Sequence, residues 1–233
     1  MSQKVPYINL QDHYKDEQFL QSRAILASTI EIVDQINDYV LSQIPEYLSS
    51  DEVDMSDANE SESFNNVTPE FLNSLSISGL PNHKIKLKVG TPIMLLRNLD
   101  QSEGLCNSTR LVVTRMANHV LETKIMSGKN IRNVTYIPRL SMSPSQCPWH
   151  FTLMRRQFPI IVSYAMIINK SQGQSLESVR LYLPRPVFNH GPLYINVSRV
   201  QSKKGLKILI HDKDGKPLNT TTNVVYKEVF QNL

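Results

Sequence analysis

The chain has 233 residues, 40% apolar and 20% charged, with a formal net charge of +4. This ordinary globular usage excludes collagen-like, mucin-like and wholly disordered chains. The longest apolar run, 158–168, is broken by Ser163 and Tyr164 and falls short of the ~20 apolar residues of a membrane helix. The N-terminal segment has no apolar core of a secretory signal. Cys106 and Cys147 are the two cysteines, far apart and without a CxxC, which argues against a disulfide framework and a thiolate zinc site. A soluble, intracellular protein with no membrane partner is the expectation.

Charge is unevenly spread. Residues 1–68 hold thirteen acids against three bases, while 69–233 hold eight acids against twenty-two bases. An asymmetry of this size points to a polyanionic partner for the basic part, most commonly nucleic acid, whose condensed counterions Lys and Arg displace. A basic surface without a ligand is the plain alternative.

In chain order, RAILAS (23–28) reads as a buried strand. Ser28 with Glu31 fits a capping box, and Val33, Ile36, Val40 and Ile44 then share one helical face up to Pro45. Residues 49–66 are acidic, Ser/Asn-rich and poor in apolar side chains, which predicts a mobile connector. KIKLKV (84–89) alternates, with Ile85, Leu87 and Val89 on one face and three lysines on the other. The segments 93–96, 111–115, 119–126 and 134–138 add short β-like runs, together suggesting a small barrel or sandwich. After Pro148, buried strands are expected at 158–162 and 179–183, and a last strand at 206–210. A helix from Pro192 is expected between the last two, with Leu193, Val197 and Val200 on its apolar face. Strands alternating with helices predict a parallel sheet, so the fold class is α/β, interrupted by a β module.

Three segments carry chemistry. Asn169-Lys170-Ser171-Gln172-Gly173-Gln174-Ser175 packs amide, ammonium and hydroxyl donors around one glycine after a buried strand. Ligands of open α/β sheets bind at that kind of edge, and such a loop can offer N–H groups and a lysine to phosphate. By itself it also reads as a polar connecting loop. The second is GPLYINVSRV (191–200), followed by QSKKG, where Arg199 taken alone is an ordinary surface arginine. The third, LKVGTPIMLLRNLDQSEGLCNSTRL (87–111), taken alone is a hairpin with an exposed turn.

In this order the three segments closely resemble the C-terminal half of Pif-type (petite-integration-frequency) helicases of superfamily one, particularly the Helitron-transposon-encoded branch. That branch reads KSQGQ-L, then YVALSRV…GLKIL, preceded by a G-P-MLLRN…GLCNGTRL insert. The opening RAILAS-T resembles its fourth helicase motif, and Arg155-Arg156-Gln157-Phe158-Pro159 its RRQFP segment. The resemblance covers about residues 7–211.

It implies a second RecA-like domain made of 7–48 and 139–211, a flexible acidic connector at 49–67, an inserted small β-barrel module at 68–138 and a C-terminal tail at 212–233. By the same resemblance Asn169, Lys170, Ser171 and Gln172 face single-stranded DNA, with Thr29, Arg97 and Asn98 as further DNA contacts. Gly173 and Gln174 link to the nucleotide. Arg199 resembles the catalytic arginine finger that stabilises charge during phosphoryl transfer. ATP and Mg²⁺ are the implied cofactors, and single-stranded DNA is the implied partner of a monomeric, nuclear or mitochondrial protein.

The chain also departs from the family. It has no GxxxxGK[ST]: Gly128-Lys129 and Gly215-Lys216 lack the earlier glycine and the following Ser/Thr. No apolar strand ends in paired acids. Ile167 replaces the usual Thr, Ser28-Thr29-Ile30 the usual Pro-Thr-Asn, and Pro192 and Asn196 alter the GQLYVALSR run. Two functions follow as expectations: the DNA-contact and arginine-finger half of an ATP-dependent helicase, inactive without a separate or upstream P-loop half, or a non-catalytic single-strand-binding remnant. An unexpressed relic is a third reading.

Other features carry less. Asn-x-Ser/Thr triplets, among them those at Asn66, Asn107, Asn133, Asn196 and Asn219, are read as chance matches in a chain expected not to be secreted. Trp149 and the tyrosines are read as core residues before base-stacking ones. The six histidines form no ligand-spaced cluster, and no metal site is expected.

Overall fold

The computed structural model describes residues 20, 22–41, 46–54, 67–126, 128, 130–144, 151–167, 176–183, 197–212 and 216–220. The chain divides into two compact units, Met1–Val40 with Ser163–Leu233, and Leu41–Val162.

The first unit is built on strands β1 (Arg23–Ala27), β12 (Ala165–Ile167), β13 (Ser178–Leu183), β14 (Leu206–His211) and β15 (Pro217–Leu218). They form one sheet of order β12-β1-β13-β14-β15. The first four are mutually parallel, as the α/β pattern predicts, and the antiparallel edge strand β15 comes from the segment expected to be a tail. Helix α1 (Ile30–Val40) turns Val33, Ile36 and Asn37 inward. Val33 and Ile36 pack on Ile25, Ala27 and Ala165. Asn37 is the polar exception, and its buried amide accepts from the Ala165 N–H at 3.0 Å while donating to the Ala165 carbonyl at 3.4 Å. The amide thereby satisfies backbone groups at the start of β12 that would be costly to leave bare. Thr29, not Ser28, stands at the helix start: its hydroxyl engages the Glu31 carboxylate. Ile44 and the helix expected up to residue 196 lie outside the described residues, and Val197 is exposed rather than part of an apolar face.

The second unit holds three sheets. The largest joins β5 (Pro92–Leu95), β6 (Arg110–Met116), β7 (Val120–Ile125), β8 (Val134–Pro138) and β11 (Ile160–Val162) in antiparallel fashion, in the order β11-β5-β6-β7-β8. Alternation turns Leu111, Leu121, Ile137 and Ile160 into one core with Leu87 and Phe158. Each such buried side chain contributes about 1.5–3 kcal/mol. Among the described residues the sheet ends at β8 and β11 as open edges, so the expected barrel closure is not seen. A second sheet sets β10 (Thr152–Gln157) between β3 (Ser50–Asp54) and β9 (Leu140–Met142). The third pairs β2 (Glu46–Leu48) with β4 (Lys84–Lys86).

Residues 139–162 and 41–48 fall in the second compact unit. The structure corrects two expectations. FPIIV does not join the parallel sheet: Ile160, Ile161 and Val162 pair antiparallel with Leu95, Met94 and Ile93. A short apolar run has no periodicity that separates a parallel core strand from an antiparallel one. The parallel strand is the tail of the same run, Ala165–Ile167. The acidic connector is likewise structured in part, because β3 pairs antiparallel with β10; residues 55–66 lie outside the described residues. Strand β4 ends before Val89, which turns outward ahead of Gly90 at φ +88°.

Candidate nucleotide and nucleic-acid site

In the first unit, β1 and β12 end together, with Ala27 opposite Ile167. Thr29 follows shortly after Ala27 and is exposed. Strand β13 re-enters at the other end of β1, where Ser178 stands opposite Arg23. The chain thus leaves the sheet at its C-terminal edge and returns at its N-terminal edge. Between these points come Asn169, Lys170, Ser171, Gln172, Gly173 and Gln174, all outside the described residues.

The return point is tied to the SRV segment. The Leu176 N–H donates to the Arg199 carbonyl at 2.9 Å, the Gln201 N–H donates to the Leu176 carbonyl at 3.1 Å, and Leu176 bridges Val200 in parallel. Two motifs more than twenty positions apart are therefore stitched backbone to backbone. The Arg199 side chain is partly exposed and its Nη2 donates to Ser198 Oγ at 2.9 Å. Close by, Gly205 lies so near Glu177 that an added Cβ would collide with the Glu177 carbonyl oxygen. Glycine is needed there for backbone to approach backbone. On the sheet itself, burial and the neighbouring Arg23 charge lower the Arg180 pKa, and burial raises that of the Tyr182 hydroxyl.

In the second unit, Arg97 and Asn98 brace the loop between β5 and β6. Arg97 Nη2 donates to the Ser143 carbonyl at 3.0 Å, and Asn98 Oδ1 accepts from the Asn107 N–H at 2.7 Å. Asp100 accepts from the Ser102 hydroxyl and from the N–H groups of Ser102 and Glu103, which holds its carboxyl below the usual range. Gly104 and Ser108 adopt positive φ, at 77° and 69°. The GLCNSTRL run is thus a braced hairpin loop. Arg110 near its end is buried, and burial pushes its pKa down to about 10.

The residues of the RRQFP segment do distinct work. Arg155 is fully buried and donates to both Asp51 oxygens and to the carbonyls of Leu72, Leu75 and Pro81. The three carbonyls lie in and after helix α2 (Pro69–Ser74). Arg156, next along β10, faces outward. The sequence signal that separates the two is strand alternation, which sends neighbours to opposite faces. Among the described residues no cluster of three or more His, Cys, Asp or Glu could hold a metal, and no helix is long and apolar enough to cross a membrane.

Residues 70–116 match the family model described as the 2B domain of DNA helicase Pif1. The ATP-dependent DNA helicase PIF1 of Xenopus laevis is 34% identical over 137 residues, covering 56% of this chain and 20% of that protein. The human PIF1 helicase is 32% identical over 147 residues, covering 62% of this chain and 22% of its own length. The chain therefore spans about a fifth of these relatives. Two solved structures share its fold. A Bacteroides Pif1 helicase in complex with ADP-AlF3 and single-stranded DNA superposes with a TM-score of 0.64 at 18% identity, over 99% of this chain and 53% of that one. The Candida albicans Pif1 helicase gives 0.63 at 21% identity, over 95% and 53%. The chain is thus similar in sequence and fold to Pif1-like helicases of superfamily one, with a RecA-like α/β architecture.

Proposed function

We propose that this chain is the C-terminal part of a Pif-type ATP-dependent DNA helicase of the Helitron-like branch. In this reading it supplies the single-strand contact and the arginine finger, and a P-loop half supplies the rest. The observation that carries the reading is the backbone tie between Leu176, which closes the KSQGQS segment, and Arg199 of the SRV segment. A loop that senses DNA and an arginine that senses nucleotide must move together for binding and hydrolysis to be coupled. A direct backbone linkage is the simplest way to arrange that.

Arg199 fits a nucleotide role on chemical grounds. A planar, permanently charged guanidinium, partly exposed and steadied by Ser198, can donate to phosphate oxygens as charge builds on them. ATP with Mg²⁺, bound in the main by the P-loop half, would supply the transferable phosphoryl group. Thr29 at the C-terminal edge of the sheet, with Asn169, Lys170, Ser171 and Gln172 after β12, would meet the DNA backbone. Gly173 and Gln174 would pass its position toward the nucleotide. The second unit, which contains the match to the 2B model, would guide the displaced strand.

The test is turnover with and without a partner. The 233-residue chain alone should bind single-stranded oligonucleotides at low salt and show no DNA-stimulated ATPase. Robust turnover by the chain alone would overturn the reading. The basic balance of residues 69–233 favours a second reading, a single-strand binder that ignores nucleotide. It predicts that adding a P-loop half restores no ATPase activity and that nucleotide leaves DNA affinity unchanged.

A further inference from the structure

We propose that a basic cleft on the second unit, between Arg139 and Arg156, holds a backbone phosphate of single-stranded nucleic acid. The cleft is open to solvent, with a volume of about 620 Å³, where β2 runs past the Asn118–His119 turn. The inference rests on the single-strand-binding reading above and adds a contact to it.

Arg139 is built into the cleft wall. Its Nε donates to the Asn118 carbonyl at 2.9 Å, its Nη1 donates to the Leu48 carbonyl at 2.6 Å, and its guanidinium lies 4.7 Å over the Phe158 ring. Phe158 is itself fully buried. These contacts fix the plane of the guanidinium and leave Nη2 unengaged among the described residues. Arg156 comes from β10, on the strand face opposite the buried Arg155, and among the described residues no carboxylate pairs with it. Both arginines line the cleft; burial lowers the Arg139 pKa, Tyr47 opposes that shift, and the Arg156 charge adds to it.

Holding two guanidiniums in mutual repulsion favours an anion between them, because a bound phosphate turns the repulsion into two charge-assisted hydrogen bonds. The one acid at the rim, Glu46, is directed elsewhere: its carboxylate lies 3.7 Å from Lys84 Nζ. The cleft also exposes Leu48, at 51%. An apolar side chain beside two cations suits a strand, with phosphate on the arginines and sugar or base edge on the leucine. A free nucleotide shares the phosphate chemistry, so the test separates the two sources.

Arg139 holds structure together, so Arg156 is the residue to change. Anisotropy of labelled oligo-dT is measured against salt for the full chain, Arg156→Gln and a control, Arg115→Gln, whose side chain is 83% exposed on another strand. Circular dichroism checks that each variant folds. Losing one phosphate contact should lower the salt slope by about 0.7 and weaken binding roughly five- to tenfold near 50 mM salt. Arg115→Gln should leave both unchanged. Wild-type binding with an unaltered slope in Arg156→Gln overturns the cleft proposal alone, as does an equal effect of Arg115→Gln. A loss of ADP binding in Arg156→Gln without loss of oligo-dT binding makes the cleft a nucleotide site and overturns the strand assignment. No binding by the wild-type chain overturns this proposal together with the single-strand reading beneath it.

Discussion

Arg155 and Asp51 lie 104 positions apart in sequence, yet Arg155 Nη2 sits 2.6 Å from Asp51 Oδ2, with the two side chains 0% and 1% exposed. The pair joins β10 to β3, and the remaining guanidinium hydrogens bind carbonyls in and after α2. One arginine thereby organises three segments that share no local sequence.

Removing either partner strands the other as a buried charge. Arg155→Met or Asp51→Asn should each cost about 3–5 kcal/mol, and the double variant should cost less than the sum. Urea unfolding of the four-member cycle measures this. Strict additivity would show that the two side chains do not act as a unit.

His83 makes the same cluster sensitive to pH. Ser49 Oγ donates to Asp51 Oδ1 at 2.5 Å, so its contact with His83 Nδ1 at 2.7 Å has the imidazole N–H as donor. Burial lowers the His83 pKa, against the pull of Asp51 and with the push of Arg155 and Lys84. A folded-state pKa below the unfolded value of about 6.5 means the unfolded chain binds more protons in that window. Stability should be full above pH ~6.5 and fall as pH drops toward the folded pKa. The thermal midpoint, followed from about pH 7.5 to 5.5, should decline less steeply in His83→Gln.

Gly205→Ala drives a methyl group against the Glu177 carbonyl, where backbone rather than a flexible side chain must give way. A loss of about 1–3 kcal/mol is expected, with faster proteolysis of the first unit. Gly79, whose added Cβ would meet nothing within 4 Å but whose φ is +82°, is the contrasting case: Gly79→Ala carries backbone strain alone and should cost about 1 kcal/mol.

Arg199→Ala should abolish whatever ATPase activity a P-loop half restores to the chain, by about 10³-fold or more in kcat. Arg199→Lys should rescue little, since a point charge lacks the planar fork. DNA affinity without nucleotide should change by no more than the loss of one surface charge. Unchanged turnover would remove Arg199 from the nucleotide site.

Short apolar runs between breaks make much of the first unit legible in the sequence. RAILA, VRLYL and LKILI are each a strand in the parallel part of one sheet, as such runs suggest. Their burial differs: RAILA is buried from Ala24 on, VRLYL on alternate residues, and LKILI only at Ile210. The alternation in 120–125 likewise places one core face of the second unit, whereas 111–113 is an unbroken apolar run buried throughout. Composition does not say what covers an acidic or basic residue. Asp51 reads as solvated within an acidic stretch, and nothing in residue type separates Arg155 from its neighbour Arg156. Tertiary structure buries one arginine against the aspartate and leaves the other at a cleft, because strand alternation and a distant partner, not residue type, set the cost of burying a charge. The same holds for 160–162, whose apolar residues are fit for either sheet. Only the packing of Ile160 against Leu95 in the antiparallel core decides which one they join.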